Sequence, residues 1–146
     1  MERMTHSRFT EAEREFIRKE RVLRFNSLGK AGHIHSVPVC FAFDGNNFFT
    51  VSQISAKRLS NIKANNSVSL ELDVYSDDWS KAKGVLVYGT AQFIESEDEK
   101  KIALNLLKEK YRQYREGPIA LSTQSLLLKT VPNEVKSWFI TKPFSA

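Results

Sequence analysis

From Val68 to Val74 apolar and polar residues alternate without a break: Val68, Leu70, Leu72 and Val74 against Ser69, Glu71 and Asp73. Successive side chains of a strand point to opposite faces, so this stretch lies with one side on a core and the other toward water. One such strand cannot bury its apolar face alone; it needs a sheet around it. The sequence supplies the neighbours. Val22–Leu28 reads as a strand, broken by Gly29-Lys30-Ala31-Gly32. Ile34–Phe43 reads as one long second strand, rich in Val and Phe. Pro38 within it cannot donate to a ladder and marks an edge or a bulge. Asp44-Gly45-Asn46-Asn47 is a tight turn, making a hairpin into Phe48–Val51. Val85–Ile94 is a further strand with Gly89 as its bulge, and Leu126–Val131 and Val135–Ile140 read as a closing pair around Pro132-Asn133.

Three helices punctuate these strands. Thr10-Glu11-Ala12-Glu13 is a capping box, a hydroxyl followed three residues later by a carboxylate. It predicts a helix to about Glu20 with Ala12, Phe16 and Ile17 inward. Ser96-Glu97-Asp98-Glu99 is a second box, and the helix after it sets Ile102, Ala103, Leu106, Leu107, Tyr111 and Tyr114 on one face until Gly117-Pro118 stops it. The third follows Thr50-Val51-Ser52-Gln53. Ser55 is its expected N-cap, Leu59 and Ile62 face the core, and Asn65-Asn66 supplies a left-handed ending. About seven strands and three helices, mostly joined as hairpins, predict an α+β or barrel-type β domain.

That third helix is the chemically suggestive one. It carries Lys57, Arg58 and Lys63, and no Asp or Glu occurs between Asp44 and Glu71. A helix N-terminus presents unpaired N–H groups and the positive end of the dipole, so cations and hydroxyls there suit a phosphate. A solvated basic helix is the competing reading. Composition agrees with an anionic partner: the 146 residues carry a net charge of +5 and a pI of about 9.4. That length allows one domain, 1–146, with a real core. Cys40 is the only cysteine, which excludes an internal disulfide and a thiolate metal cluster. No apolar run approaches a membrane span and the first residues lack a signal-peptide core, so a soluble cytoplasmic protein is expected.

Other chemistries have less behind them. His33 and His35 share a strand face, but His6 is the only other histidine to complete a metal site. Cys40 sits in an apolar strand and reads as an inert thiol. No serine occupies a Gly-x-Ser-x-Gly turn, and Asp77-Asp78 reads as an exposed loop rather than an acid–base pair. Neither a Gly-x-Gly-x-x-Gly nor a Walker loop is present. The cations alternate with Glu and form no dense stripe for nucleic acid.

The order of the pieces resembles a known family. Arg21-Val22-Leu23-Arg24, a Gly turn, then Val37-Pro38-Val39-Cys40-Phe41 resembles the opening of the split-barrel flavin-binding superfamily typified by pyridoxamine 5′-phosphate oxidase. Asp44-Gly45, the following strand and Ala56-Lys57-Arg58-Leu59-x-Asn61-Ile62-x-x-Asn65 fit the same pattern. Tyr75-x-Asp77-Asp78-Trp79-Ser80 and Tyr111-x-Gln113-Tyr114-Arg115 resemble the branch that uses the deazaflavin coenzyme F-420. Two departures are His33-Ile34-His35 after Gly32, where the family usually has a Pro, and Lys81-Ala82-Lys83-Gly84, where that branch is usually aromatic.

The resemblance implies a mainly β (α+β) split β-barrel of about six or seven antiparallel strands with flanking helices. It implies a homodimer with FMN or F-420 at the subunit interface and a small-molecule substrate, without nucleic acid or membrane. Carried over, the phosphate residues are Thr50, Ser52, Ser55, Lys57, Arg58 and Asn61, with Arg24 from the first strand. Val39 and Phe41 lie beside the ring, and Asp78 and Trp79 match the branch motif. The implied activity is hydride transfer by the cofactor, with no catalytic side chain required. A non-catalytic flavin carrier or sensor and a nucleic-acid-binding β-barrel are the alternatives. Independently of the resemblance, the apolar load of the second and third strands (Val37, Val39, Phe41, Phe43, Phe48, Phe49) suggests an interface.

Overall fold

A computed structural model describes residues 3–53 and 55–140. Eight strands form one antiparallel sheet: β1 (Arg3–His6), β2 (Leu23–Leu28), β3 (Ile34–Val39), β4 (Ala42–Phe43), β5 (Phe48–Ser52), β6 (Ser67–Val74), β7 (Lys83–Phe93) and β8 (Leu126–Trp138). Their order is β3-β2-β6-β7-β8-β5-β4, with β1 paired to β8. β3 and β4 are therefore at opposite edges of the sheet, yet only Cys40 and Phe41 separate them in sequence. So short a link reaches about 10 Å. The sheet must curl until its two edges almost meet, which is how a flat strand order becomes a barrel. The split-barrel expectation holds.

The alternating strand sits where its pattern requires. Val68, Leu70 and Leu72 are buried, and β6 pairs along its whole length with β7. Pro38 lies on β3, an edge strand, opposite Arg24. The hairpin turn forms with Gly45 at φ +100°, a region open to glycine, while Asp44 Oδ1 accepts from the amides of Asn46 and Asn47 at 2.8 and 2.7 Å.

The register shifts at Tyr88/Gly89, confirming the bulge. A Cβ on Gly89 would lie 2.6 Å from the Val131 carbonyl oxygen, a backbone atom that cannot rotate away. Gly89→Ala is expected to cost about 1–3 kcal/mol by forcing β7 and β8 apart. Urea unfolding checks this, and an unchanged midpoint would show that the bulge yields freely.

Three readings change. The second strand is interrupted: Cys40 and Phe41 leave β3 to cross to β4. The expected closing pair is one continuous strand, β8, because Pro132 falls at the bulge opposite Gly89, where no ladder N–H is required. β1 was not expected. Its edge pairing is reinforced by His6 Nε2, 2.6 Å from Glu13 Oε1.

The helices are α1 (Glu11–Lys19), α2 (Lys57–Ala64), α3 (Glu97–Lys110) and the single turn α4 (Gln113–Glu116). Thr10 closes a full capping box with Glu13, and Phe16 and Ile17 are buried. Ser96 caps α3, but Glu99 turns away to Lys129 at 2.7 Å, so only half of the second box forms. α3 turns Ala103, Leu104 and Leu107 inward and leaves Ile102 exposed.

The core lies in two layers. Inside the curl are Phe25, Phe41, Phe48, Leu70, Leu72, Val85, Val87 and Leu128. Outside it, Ala42, Phe49 and Leu127 pack under α3. Phe41, Phe43, Phe48 and Phe49 are thus buried within one chain, which removes the apolar-load argument for an interface. No helix among the described residues is long and apolar enough to cross a membrane.

Candidate functional site

β5 leaves the sheet at Ser52, and α2 crosses the same end of the barrel toward β2. The turn between them was expected to start with Ser55 as the cap. The cap is Ala56 instead, with no side chain bonding to the first-turn amides. Ser55 is exposed beside it. The expected left-handed ending is also absent, since Asn65 is extended at φ −150° and its amide reaches Asn61 carbonyl at 2.8 Å.

Arg58 departs most from expectation. Leu59 and Ile62 face the core as expected, and Arg58 is buried with them. Its Nε donates to Ser52 Oγ at 2.7 Å and its Nη2 to the Val51 carbonyl at 2.6 Å. Its Cζ lies 5.8 Å from the Phe25 ring centroid. A residue one position from the helix start faces the barrel when the helix lies across the mouth, which amphipathic spacing alone does not reveal. Burial pushes the guanidinium down from its ordinary value, and both of its hydrogen-bond partners are uncharged. A buried cation without a counter-charge is costly, and an anion offsets that cost.

The other sequence-derived residues divide into groups. Lys57 is exposed at the first helical position, next to Ser55. Thr50 and Ser52 are buried inside the barrel, and Thr50 Oγ1 has no hydrogen-bond partner. Asn61 is buried as well, its Nδ2 donating to Ser27 Oγ at 3.0 Å. Val39 is half-buried at the end of β3, whereas Phe41 is wholly enclosed, 5.9 Å from Phe48, and is not open to a cofactor ring from within this chain.

Arg24 is exposed on the outer face of β2, 3.9 Å from Asp73. Asp78 accepts from the Ser80 hydroxyl at 2.6 Å, and Trp79 is exposed in the loop that joins β6 to β7. The registers put that loop at the sheet end opposite the one where β5 hands over to α2. One chain therefore brings together Ser55, Lys57 and Arg58, with Ser52 behind them, and does not bring Asp78 and Trp79 to the same place.

Sequence reasoning missed the part played by Tyr114. It lies near Arg58 and Cys40, and burial, then Cys40, push its phenol up from its ordinary value. Tyr111 Oη is 2.6 Å from the Arg21 carbonyl and 3.0 Å from the Phe41 amide, and burial pushes that phenol up to about 12. The spacing of the two tyrosines on α3 and α4 was legible; their contact with the β3–β4 crossing was not. His33 and His35 acquire no third ligand, and no group of three metal-binding side chains occurs among the described residues.

A family model described as pyridoxamine 5′-phosphate oxidase matches residues 9–139. No curated protein matches the chain. Among solved structures, an FAD-binding protein from Mesorhizobium loti is 20% identical with a TM-score of 0.69, covering 94% of this chain and 97% of that one. A 5-nitroimidazole antibiotic resistance protein from Bacteroides thetaiotaomicron, so described provisionally, is 15% identical with a TM-score of 0.72, over 94% and 89%. A heme-binding protein from Mycobacterium smegmatis is 17% identical with a TM-score of 0.76, covering 96% of this chain and 58% of that one.

Proposed function

The chain belongs to the pyridoxamine 5′-phosphate oxidase family, and from that premise we propose that it binds a phosphorylated flavin or deazaflavin, FMN or F-420, and transfers a hydride between it and a small molecule. The observation that carries this reading is the buried Arg58, bonded only to neutral oxygens, at the uncapped start of α2 beside exposed Lys57 and Ser55. The donor set fits a phosphate group: amide N–H groups, one ammonium, one guanidinium and a hydroxyl. The bound ring supplies the hydride chemistry. The chain's residues hold the phosphate and keep the neighbouring barrel dry, so no acid or base needs to act.

An absorbance titration of purified protein with FMN and with F-420 tests this, and turnover with the reduced cofactor separates an oxidoreductase from a carrier. A heme absorbance band, with neither flavin bound, overturns it. Charge-assisted bonds are worth about 1.5–3 kcal/mol, so Lys57→Ala is expected to weaken FMN by roughly ten- to a hundredfold. Riboflavin has the ring without the phosphate and should be unaffected. Equal weakening of both ligands removes Lys57 from the phosphate site.

The reading includes a homodimer. Two features support it: Leu28, Ile34 and Tyr88 are exposed around an outer-sheet groove of about 420 Å³, and Asp78 and Trp79 lie far from Lys57 within one chain. A second copy is the natural way to bring those loops to the phosphate end. Sedimentation at micromolar concentration should give twice the chain mass; a monomer in the presence of cofactor rules the arrangement out.

A further inference from the structure

The outer edge of β8 is unpaired over one stretch. β5 pairs with it up to Thr130 and β1 takes over at Val135, so the bulge at Pro132 has no strand on that side among the described residues. A cavity of about 400 Å³ fills the gap, lined by Arg8, Phe9, Arg14, Asn46, Asn47 and Pro132 among others. Three segments meet there: the link from β1 to α1, the turn from β4 to β5, and the bulge.

No carboxylate lines this cavity. Arg14 Nε donates to the Gly45 carbonyl at 2.9 Å, which holds its guanidinium at the turn beside Asn46. Arg8 is exposed and has no ion pair among the described residues. The nearby acids have other partners. Glu11 lies 3.5 Å from Arg14 and 3.4 Å from Arg18, Asp44 accepts from the turn amides, and buried Glu13 holds His6 and the Thr10 amide. Asn46 and Asn47 are hydrogen-bonded through their backbones alone, which leaves both side-chain amides uncommitted among the described residues. Phe9 forms a fixed apolar wall, its ring centroid 5.2 Å from that of Phe43 and 6.0 Å from that of Phe48.

We propose that this cavity is a second anion site, one that takes a small aromatic phosphate. Two arginines from different elements and two free amides supply more donors than a planar carboxylate uses, and suit the several oxygens of a phosphate. The ring of the ligand lies against Phe9 and Pro132. The site is separate from the start of α2: Asn47 precedes β5 and Ser52 ends it, about 16 Å away along the strand. A ligand bound here ties together three segments that share no ladder at this point.

The test is a titration of the full chain with phenyl phosphate, followed by backbone amide NMR, with inorganic phosphate and phenol as controls. Amide signals of Ser7, Asn46 and Asn47 should move and saturate, and phenyl phosphate should bind at least severalfold more tightly than either control. Arg8→Gln changes an exposed side chain and removes one charge-assisted contact, so it should weaken binding about tenfold. Lys57→Ala should leave the shifts at these three residues unchanged. Shifts confined to α2, equal binding of inorganic phosphate, or an Arg8→Gln protein with unchanged affinity overturns the proposal. FMN titration reports on the α2 site alone, so a failure there leaves this site standing.

Discussion

Arg58→Ala will lower stability by about 3 kcal/mol and abolish measurable phosphate-dependent flavin binding. Two charge-assisted bonds disappear, each worth about 1.5–3 kcal/mol, and the effects are not additive. Ser52 Oγ and the Val51 carbonyl lose their donor at the barrel mouth, where Ser52 is buried. The urea midpoint should fall by roughly 1.5 M with the slope unchanged. Arg58→Lys should fall between, since an ammonium keeps the charge but cannot span both oxygens as the planar fork does. The ligand comparison tells a scaffold from a binding group. If Arg58 only braces β5 against α2, the folded variant will weaken FMN and riboflavin alike. If it reads phosphate, riboflavin binding will be preserved.

Glu71→Gln will stabilise the protein at pH 8 and do nothing at pH 4. Glu71 lies on the outer face of β6, with Oε1 buried and unpartnered. Burial, then the neighbouring Asp73, raises its pKa from 4.5 to about 7, with Arg24 partly opposing. A carboxyl whose pKa is higher when folded binds its proton more tightly in the folded state. Its contribution to stability is complete below about pH 4.5 and is lost as pH rises toward 7. Because the group is partly exposed, solvent screening reduces the effect to about 1–2 kcal/mol. Glutamine resembles the protonated acid and keeps that shape at every pH. Thermal unfolding should show the variant about 3–6 °C more stable at pH 8. A difference that is the same at pH 4 and pH 8 would mean that the charge is not the cause.

The fold was legible where a single local rule decides the outcome. Period-two alternation located β6, the Thr10–Glu13 box located α1, and Gly45 and Gly89 located a turn and a bulge. It was less legible where distant elements decide. Pro132 looks like a break in sequence, yet it falls at a bulge that needs no N–H, so β8 runs on. Ile102 has the spacing of a core residue but lies beyond the edge of what α3 covers.

The candidate site behaved in the same way. The concentration of cations and hydroxyls on residues 52–58 could be read, because charge and residue type are local. Their directions could not. Arg58 and Asn61 turn inward because α2 lies across the barrel mouth, so Ser52 and Ser27 become their partners. Lys57, with no such partner, stays in water.

β8 also sets the order in which the protein can be completed. It pairs with β7, β5 and β1, and it is the last strand along the described chain. Until residues 126–138 have emerged from the ribosome, β5 lacks one neighbour and β7 has an open edge along most of its length. Both present unpaired backbone and apolar side chains in that interval. Closure joins β8 to a strand more than a hundred residues away in sequence, so the loop-closure cost falls late and all at once. Nascent or truncated chains that stop before residue 126 are therefore the species with most to gain from a chaperone.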